Sequence, residues 1–466
     1  MHTKWDFSKR LDLFNGESSS LLLDGKWGLE KESQRVTPSG ELAMTDHPAA
    51  FGHKLMNPHI TVDFAESQME LITSPFASVE GAFEELNHLQ LYAEAELGEE
   101  LLWPLSMPPK LPAEEGIPLA RFGDSEEGIE KEVYRTGLSL RYGKKMQMVS
   151  GIHYNFSFGD RMLAYLYKQF SEGKNIQVFT DELYVAMSRN FLRNRWLLIY
   201  LFGASPSIDS TYYSVMCQEI KRVAWCCPEN CSPIVSYEKN AVSLRVSRFG
   251  YSRTAQGNSM RIFNSLQEYT MGIRKLLNDN VLQKESEFYS SIRLKQVTEK
   301  GETQLDALER RGVKYVEVRI LDLNPFHKTG MDLNQLYFLQ VFMLYCLMED
   351  SGMISEAEDQ LMNRNHHLVS LSGRKPNLKL YPYNKHPVRL QEWAEEIFCK
   401  LRLIASVMDI SDSSNKYHNS VELQYKNVLD PSLLPSASIH KETMKYKESY
   451  LEFGMRRARA NKKQGG

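Results

Sequence analysis

The sequence predicts an α+β fold in which helices pack on one face of a sheet. Two observations support this prediction. Long segments with apolar residues at helical spacing are separated along the chain by short segments in which apolar and polar residues alternate. In the short segments the polar positions repeatedly hold Glu, His and Arg and almost never Lys. A sheet with one apolar face covered by helices and one functional face gives this pattern.

Four long helices are predicted from apolar periodicity and from residues that favour helix ends. Ser78 is the predicted N-cap of the first helix, which ends at Gly98. The second helix spans about 181–202, and the third begins at Asp332 and is apolar on most sides, which indicates burial. The fourth covers about 393–408.

Four segments with strict alternation are predicted to be strands: "GLEKES", "VSGIHYNFSF", "VSLRVS" and "YVEVRI". Their polar faces carry Glu30, Glu32, His153, Arg245, Glu317 and Arg319. A surface sheet exposed to water would show a similar alternation, so that alternative stays open. The near absence of Lys favours a binding or catalytic face, because solvated strands more often include Lys and Thr.

Length and composition limit the classes of function. The chain has 466 residues, is 42% hydrophobic and carries a formal net charge of -3, so we expect one globular domain over 1–466. The charge balance argues against nucleic acid or an anionic membrane as a partner. The N-terminus has no apolar signal segment and no apolar run is long enough for a membrane span, so a soluble cytoplasmic protein is expected.

Three local features have plain interpretations. The cluster formed by Cys226, Cys227 and Cys231 has no second ligand pair at zinc spacing, so reduced thiols in a loop are favoured over half a zinc site. The stretch from about 300 to 312 is expected to be a loop. The basic tail from Met455 is expected to be frayed and solvated.

A set of acids and one histidine could hold metal ions if the fold brings them together. The set is Glu30, Glu32, Asp63, Glu70, His153 and Glu317. Hard carboxylate oxygens with one imidazole suit Mg²⁺ or Mn²⁺ better than zinc. Two or three such ions would turn repulsion among the acids into attraction, and nucleotide phosphates could bridge them. Arg319 could then neutralise a transferred phosphoryl group. The chain has no P-loop and no nucleophile motif.

Eight segments, in this order, resemble the glutamate–cysteine ligase family in its gamma-proteobacterial form. They are "GLEKESQRV", "TVDFAESQMELIT", "WPLSMPP", "YGKKMQMVSGIHYNFS", "YLFGASP", "SLRVSRFGYS", "YVEVRILDLNPF" and "GRKP". The resemblance runs from about residue 20 to residue 376, and the part from about 380 matches weakly. The stretch 212–240 has no clear counterpart, which leaves the acceptor specificity open.

The resemblance implies a fold and a set of roles. The fold is glutamine-synthetase-like, a curved and largely antiparallel sheet whose concave face holds the site. The six residues of the metal set would bind two to three Mg²⁺ or Mn²⁺ ions, with Arg319 steadying the phosphoryl group; Glu317 and Arg319 are the expected catalytic pair. The implied pocket for the amino-acid substrates consists of Tyr134, Arg135, Gln147, Arg245, Tyr251 and Tyr289.

The implied activity is ATP-dependent ligation of the γ-carboxylate of L-glutamate to the amine of L-cysteine, through γ-glutamyl phosphate. The nearest alternative is the same chemistry with a different amine or acid substrate, because the metal set does not select the acceptor. A non-catalytic binding protein on this fold is a second alternative, and it would predict a degraded metal set. All six ligand positions are intact. The sequence leaves the oligomeric state open, a monomer included.

Overall fold

The computed structural model describes residues 7–218, 239–250 and 259–463. Its main sheet has seven strands, and all of the paired strands in it run antiparallel. The strands are β1 Gly25–Val36, β2 Ile60–Val62, β3 Gln68–Ile72, β4 Leu101–Leu102, β5 Ile152–Phe158, β6 Ile292–Lys295 and β7 Tyr315–Leu321. Their order is β2-β3-β1-β5-β7-β6, with β4 paired to the end of β1. A small second sheet joins β8 Lys379–Leu380 to β9 Val388–Arg389.

The described helices lie around this sheet, and several of them pack on its apolar face. They are α1 Phe7–Asp12, α2 Val79–Glu96, α3 Glu126–Tyr142, α4 Lys144–Gln147, α5 Asp160–Phe170, α6 Ile176–Phe202, α7 Leu266–Asn278, α8 Gln304–Arg311, α9 Leu333–Met348, α10 Glu356–Ser372, α11 Leu390–Asp412, α12 Lys416–Leu429, α13 Pro435–Tyr446 and α14 Tyr450–Lys463. Helix α6 packs against β6 and β7, and α2 packs against β1 and β3. The predicted α+β class is therefore confirmed.

The four predicted long helices are present as α2, α6, α9 and α11. The hydroxyl of Ser78 accepts a hydrogen bond from the Gly81 amide at the start of α2, as expected of an N-cap. Helix α6 begins five residues before the predicted start, where the side chain of Asn175 caps it. Helix α9 is buried along nearly its whole length, as its sequence predicts.

The alternation predicted for β1, β5 and β7 separates two faces of the sheet. The face toward the helices, called the helix face below, carries buried residues such as Leu29, Tyr154 and Val318. Lys31 also points to the helix face, where its ammonium donates to Gln90 Oε1 of α2 at 2.5 Å. Glu30 and Glu32 on either side of it therefore point to the opposite face, called the site face below.

A bulge lies in β7 where it pairs with β5. Ile152 pairs with Leu321 and Tyr154 pairs with Val318, so His153 is opposed by two residues, Arg319 and Ile320. Bulges re-aim side chains and often occur beside functional sites. This one lies between the two neighbouring strands that carry His153 and Arg319.

The segment "VSLRVS" is not a strand, so that prediction is wrong. Residues 242–247 form turns, in which the Ser247 amide donates to the Leu244 carbonyl at 3.2 Å. An isolated β-bridge pairs Ser243 of this segment with Ser205. Both sets of alternating residues are buried, Arg245 and Ser247 included. The alternation therefore does not separate a core face from a solvent face here.

The stretch from 300 to 312 was expected to be a loop, and it contains helix α8. Thr303 caps the helix by accepting from the Asp306 amide at 3.1 Å. Leu305 and Leu308 are buried, so even this short, highly charged segment has an apolar side to pack. The helix connects β6 to β7.

The basic tail is helical and packed, which overturns the expectation of a frayed end. Helix α14 extends to Lys463, and its Phe453 and Ala458 are buried. Gly454 lies so close to the indole of Trp103 that an added Cβ would be 2.0 Å from a ring carbon. Arg457 donates to the Pro325 carbonyl at 2.9 Å. Arg457 thus binds a carbonyl group of a neighbouring segment instead of extending into water.

Within the described residues, every helix falls short of the combined length and apolar character that crossing a bilayer requires.

Candidate active site

The predicted site residues of the sheet converge on one cavity of about 220 Å³ on the site face. Its lining includes all six residues of the predicted metal set, and also Arg319 and four of the six predicted substrate-binding residues. The lining residues are Glu30, Glu32, Asp63, Phe64, Glu70, Tyr134, Arg135, Leu138, Gln147, His153, Ser286, Tyr289, Arg293, Glu317 and Arg319. Strands β1, β3, β5, β6 and β7 form the floor, and α3 supplies part of the wall.

Strand register brings four of the predicted ligands together. Glu30 of β1 pairs directly with His153 of β5, and Glu32 pairs with Glu70 of β3. His153 Nδ1 lies 2.8 Å from Glu30 Oε2, and the amide of Asn155 donates to the other oxygen of Glu30 at 2.8 Å. Both carboxylate oxygens of Glu30 are therefore held by β5.

The second acid of β1 is held by the backbone that leads into β5. The Gly151 amide donates to Glu32 Oε2 at 2.9 Å, and Glu32 Oε1 lies 3.6 Å from His153 Nε2. That imidazole nitrogen is buried and has no hydrogen-bond partner in the described part of the chain. One ligand atom each from Glu30, Glu70 and His153 lies within 4.8 Å of the other two.

Asp63 and Glu66 belong to the same "DFAE" motif but occupy different environments. Asp63 follows β2 and lines the cavity. Glu66 lies outside the lining and is a structural acid, because its two oxygens accept from Lys54 Nζ at 2.6 Å and from the Arg121 amide at 2.9 Å. The motif therefore supplies one cavity carboxylate and one carboxylate that anchors neighbouring loops.

Glu317 lies among cationic groups. Arg319 Nη1 donates to Glu317 Oε1 at 3.0 Å, and His153 Nδ1 lies 3.7 Å from the same oxygen. Arg293 Nη1 of β6 lies 3.8 Å from Glu317 Oε2. Glu317 and Arg319 point to the same face because they are two residues apart on β7.

Burial and charge divide the carboxyl groups into two classes. Burial raises the pKa of Glu32, and burial together with Asp63, Glu30 and Glu32 holds the pKa of Glu70 well above its usual value. Burial also acts to raise the pKa of Glu317, but Arg319, Lys295 and Arg293 outweigh it and bring that pKa below the usual value. The raised pKa values of Glu32 and Glu70 mean that additional positive charge near them would favour their ionised forms.

These features fit divalent cations. Divalent ions would neutralise the acids that repel one another, and His153 Nε2 offers a buried nitrogen that has no hydrogen-bond partner among the described residues. Carboxylate oxygens outnumber the single imidazole, which suits Mg²⁺ or Mn²⁺. Glu30, Glu70 and His153 lie close enough together to hold an ion jointly, and ligation by all six residues of the set stays a prediction.

The wall beside the metal set combines aromatic and polar groups. Tyr134 and Arg135 come from α3, and the Arg135 guanidinium lies 4.5 Å from the centre of the Phe122 ring while its Nε donates to the Asp63 carbonyl. The hydroxyl of Tyr289 donates to Gln147 Oε1 at 3.2 Å. These side chains form one continuous wall next to the carboxylates.

Two predicted substrate-binding residues are not in this lining. Arg245 is only 1% exposed and donates to the carbonyls of Arg319 and Leu321, each at 3.2 Å. Its place is behind the end of β7, and its predicted role as an anion binder stays a prediction. Tyr251 lies outside the described residues, as does the predicted cysteine cluster of Cys226, Cys227 and Cys231.

Several lining or contacting residues were missed from the sequence. Arg293 lies in "IRLK", which alternates apolar and charged residues as β7 does, so the pattern that identified Arg319 would also have identified it. Asn155 is two residues from His153 on the same face. Ser286, Phe64 and Leu138 carry no local signal, because only the tertiary fold places them at the cavity.

The open face of the antiparallel sheet gathers five carboxylates, a histidine and two arginines, and comparison with known proteins identifies the class as a ligase. The family model for glutamate–cysteine ligase matches residues 11–278 and 272–369. The chain therefore belongs to the glutamate–cysteine ligase family.

Relatives with this family name match over nearly the whole chain. The glutamate–cysteine ligase of Clostridium acetobutylicum is 48% identical to this chain over an alignment 479 residues long. The alignment covers 98% of this chain and 100% of the relative. That of Pseudomonas putida KT2440 is 38% identical and the match covers 97% of this chain and 89% of the relative.

Solved structures agree with the sequence relatives. The glutamate–cysteine ligase of Francisella tularensis in complex with AMP has a TM-score of 0.83 and 32% identity, covering 95% of this chain and 89% of that one. A bifunctional glutathione synthetase from Pasteurella multocida has a TM-score of 0.80 and 28% identity, covering 98% of this chain and 54% of that one.

Proposed function

We propose that this chain joins the γ-carboxylate of L-glutamate to the amine of L-cysteine with hydrolysis of ATP to ADP and phosphate, the first step of glutathione synthesis. Its membership of the glutamate–cysteine ligase family supports the reaction. The observation that carries the proposal is the convergence of the six-residue metal set and Arg319 on one cavity beside an aromatic wall.

The energetic problem of this reaction is the poor electrophilicity of a carboxylate. Transfer of the γ-phosphoryl group of ATP to a γ-carboxylate oxygen gives γ-glutamyl phosphate, which has a good leaving group. The neutral amine of cysteine then attacks the carbonyl carbon, the new amide bond forms, and inorganic phosphate leaves with the carboxylate oxygen it received.

The chain's own residues would support this transfer by charge and by position. Two or three Mg²⁺ or Mn²⁺ ions held by the metal set would neutralise the phosphates and align them with the attacking oxygen. Arg319 lies beside the ligand Glu317, so its guanidinium can turn toward the equatorial oxygens of the transferred group. The Francisella relative was solved in complex with AMP, which supports a nucleotide as a ligand of this chain.

The wall formed by Tyr134, Arg135, Gln147 and Tyr289 would hold the amino-acid substrates. Its phenol hydroxyls, amide and guanidinium can meet the ammonium and carboxylate groups of amino acids, and its rings exclude water from the acyl phosphate. Arg245 and Tyr251 are the other two residues predicted to bind the amino-acid substrates.

Isotope transfer tests the proposed chemistry directly. Glutamate labelled with heavy oxygen in its γ-carboxylate is incubated with the protein, ATP, Mg²⁺ and cysteine. One labelled oxygen should appear in each molecule of inorganic phosphate, and ADP should be the nucleotide product. Unlabelled phosphate, or formation of AMP and pyrophosphate, would exclude the acyl-phosphate route.

The acceptor is tested separately, because the metal set does not select it. ADP release is measured with glutamate and each amino acid in turn in place of cysteine. Cysteine should give the highest kcat/KM. A higher value with another amine would retain the acyl-phosphate chemistry and change the acceptor.

A further inference from the structure

Arg293 of β6 is the arginine that faces Glu317 from the neighbouring strand. The two residues form a direct pair in the antiparallel register of β6 and β7. Arg293 is 8% exposed and lines the cavity. Arg319 was expected to assist the chemistry, whereas the sequence assigned Arg293 no role.

The guanidinium of Arg293 is fixed by backbone carbonyls on one side. Its Nε donates to the Phe288 carbonyl at 2.9 Å, and its Nη2 donates to the Ser286 carbonyl at 2.6 Å. A planar guanidinium held at two donors has a fixed orientation. The remaining terminal nitrogen, Nη1, is directed at Glu317 Oε2, 3.8 Å away.

Each end of this arrangement belongs to a different part of the cavity. Glu317 Oε2 is buried and has no hydrogen-bond partner among the described residues. The guanidinium of Arg293, 3.8 Å away, is a cation close to this oxygen. Segment 286–289 carries Ser286 and Tyr289, which line the cavity next to Tyr134 and Gln147. The side chain of Arg293 therefore spans from the predicted metal set to the proposed amino-acid wall.

We infer that Arg293 is a positioning residue that sets the distance between segment 286–289 and the ligand Glu317 and tempers the negative charge of the metal set. This inference rests on the proposed function for the roles of the two sides. Loss of the guanidinium removes the Arg293 donor to the Ser286 carbonyl and leaves the Phe288 carbonyl with the Ser290 amide alone, which donates at 3.1 Å, so the segment loses the two hydrogen bonds that tie it to β6. Loss of the positive charge makes the metal set more attractive to cations.

Two substitutions separate these effects. Arg293→Lys keeps the charge but cannot satisfy both carbonyls with a planar fork, and Arg293→Gln removes the charge as well. Arg310→Gln, at an exposed arginine of α8, is the matched control. Steady-state kinetics are measured for ATP and for the amine substrate, and binding of Mn²⁺ alone is measured by electron paramagnetic resonance.

The KM for the amine substrate should show whether Arg293 positions the amino-acid wall. Both Arg293 variants should raise the KM for the amine by about tenfold, while the KM for ATP stays within about threefold of the parent value. The control should keep both constants. An unchanged KM for the amine in Arg293→Lys overturns the positioning role, and this variant decides the matter if Arg293→Gln does not fold.

The affinity for Mn²⁺, measured without substrates, should show the effect of the positive charge of Arg293 on the metal set. Arg293→Gln should bind Mn²⁺ about threefold to tenfold more tightly than the parent, and Arg293→Lys should match the parent within about twofold. Equal affinities in Arg293→Gln and the parent would overturn the electrostatic part. If the parent protein does not join glutamate to cysteine, the proposed function is refuted. The comparison of Mn²⁺ affinities would still decide the role of Arg293 beside Glu317.

Discussion

Glu32 and Gly151 are joined by two hydrogen bonds in opposite directions. The Glu32 amide donates to the Gly151 carbonyl at 3.0 Å, and the Gly151 amide donates to the Glu32 carboxylate at 2.9 Å. The guanidinium of Arg245 fills the space where a Cβ of residue 151 would be, since such an atom would lie 1.9 Å from Arg245 Nη2. The backbone next to one site carboxylate is thus packed directly against a buried cation.

Gly151→Ala should therefore disturb both stability and activity. The added methyl group has to displace a guanidinium that is bonded to the Arg319 and Leu321 carbonyls. Overpacking of this kind costs about 1–3 kcal/mol of unfolding free energy. Chemical denaturation and turnover are measured beside Gly352→Ala, where an added Cβ has nothing within 4 Å. Equal stability of the two variants would show that Arg245 moves at no cost.

The metal set should be essential for turnover but not for folding. Glu30→Gln or Glu317→Gln should remove nearly all activity, because each change removes one charged ligand of a cation and the rigid sheet cannot move to replace it. Mn²⁺ should raise the thermal midpoint of the parent more than that of either variant, which scanning calorimetry can measure. The exposed Glu41→Gln serves as the control. Activity within a few-fold of the parent in either variant would refute the assignment.

Arg319 should act on the phosphoryl step more than on nucleotide binding. Donors aimed at developing charge contribute about 3–4 kcal/mol to the transition state. Arg319→Ala should therefore slow turnover by roughly two to three orders of magnitude. The metal set would still hold ATP, so its apparent affinity should change less. Rapid-quench measurement of ADP formation separates the two effects, and a variant that changes only the KM for ATP would contradict this role.

The packed position of helix α14 predicts that Gly454 does not tolerate a side chain. Its Cβ position lies 2.0 Å from a ring carbon of the fully buried Trp103. Gly454→Val should lower the unfolding free energy by about 1–3 kcal/mol or more. Ala460→Val, on the same helix, controls for the lower helix propensity of valine. Similar denaturation midpoints for the two variants would mean that the helix is not held at Trp103.

The protein should lose stability in acid because of two neighbouring buried histidines, His366 and His367. Burial, Arg248 and Arg195 lower the pKa of His367 to about 3, and burial, Arg195 and His367 lower that of His366 well below its usual value. Because the folded-state pKa lies below the unfolded one, the unfolded chain takes up protons first as the pH falls. Stability is therefore full above pH ~6.5 and falls toward pH ~3, by about 1.4 kcal/mol per pH unit for each histidine.

His367→Asn should flatten this dependence. Denaturant unfolding is compared between pH ~7 and pH ~4.5 for the parent, the variant and His386→Asn, whose ring is exposed. The slope should fall in His367→Asn and stay unchanged in His386→Asn. Parallel pH profiles for all three proteins would show that His367 protonates in the folded state as readily as in the unfolded state.

The sequence by itself determined which residues share a face and which family the chain resembles. A strand has a period of two residues, so the alternation in β1, β5 and β7 places Glu30, Glu32, His153, Glu317 and Arg319 on one face whatever their neighbours are. A helix with a polar cap and an apolar stripe is equally local, which is why α2 was predicted from Ser78 onward. The eight family segments added the roles.

Tertiary structure decided everything that depends on which segments meet. Segment 242–247 has the same alternation as β7, but both of its sides are buried and it turns behind β7, so Arg245 lies outside the cavity lining. Arg293 acquires its position from its pairing with Glu317 and from the carbonyls of segment 286–289, none of which its own sequence encodes. Helix α14 is ordered by Trp103, hundreds of residues away. Local pattern fixes direction along one strand or helix, whereas packing between distant segments fixes what each side chain contacts.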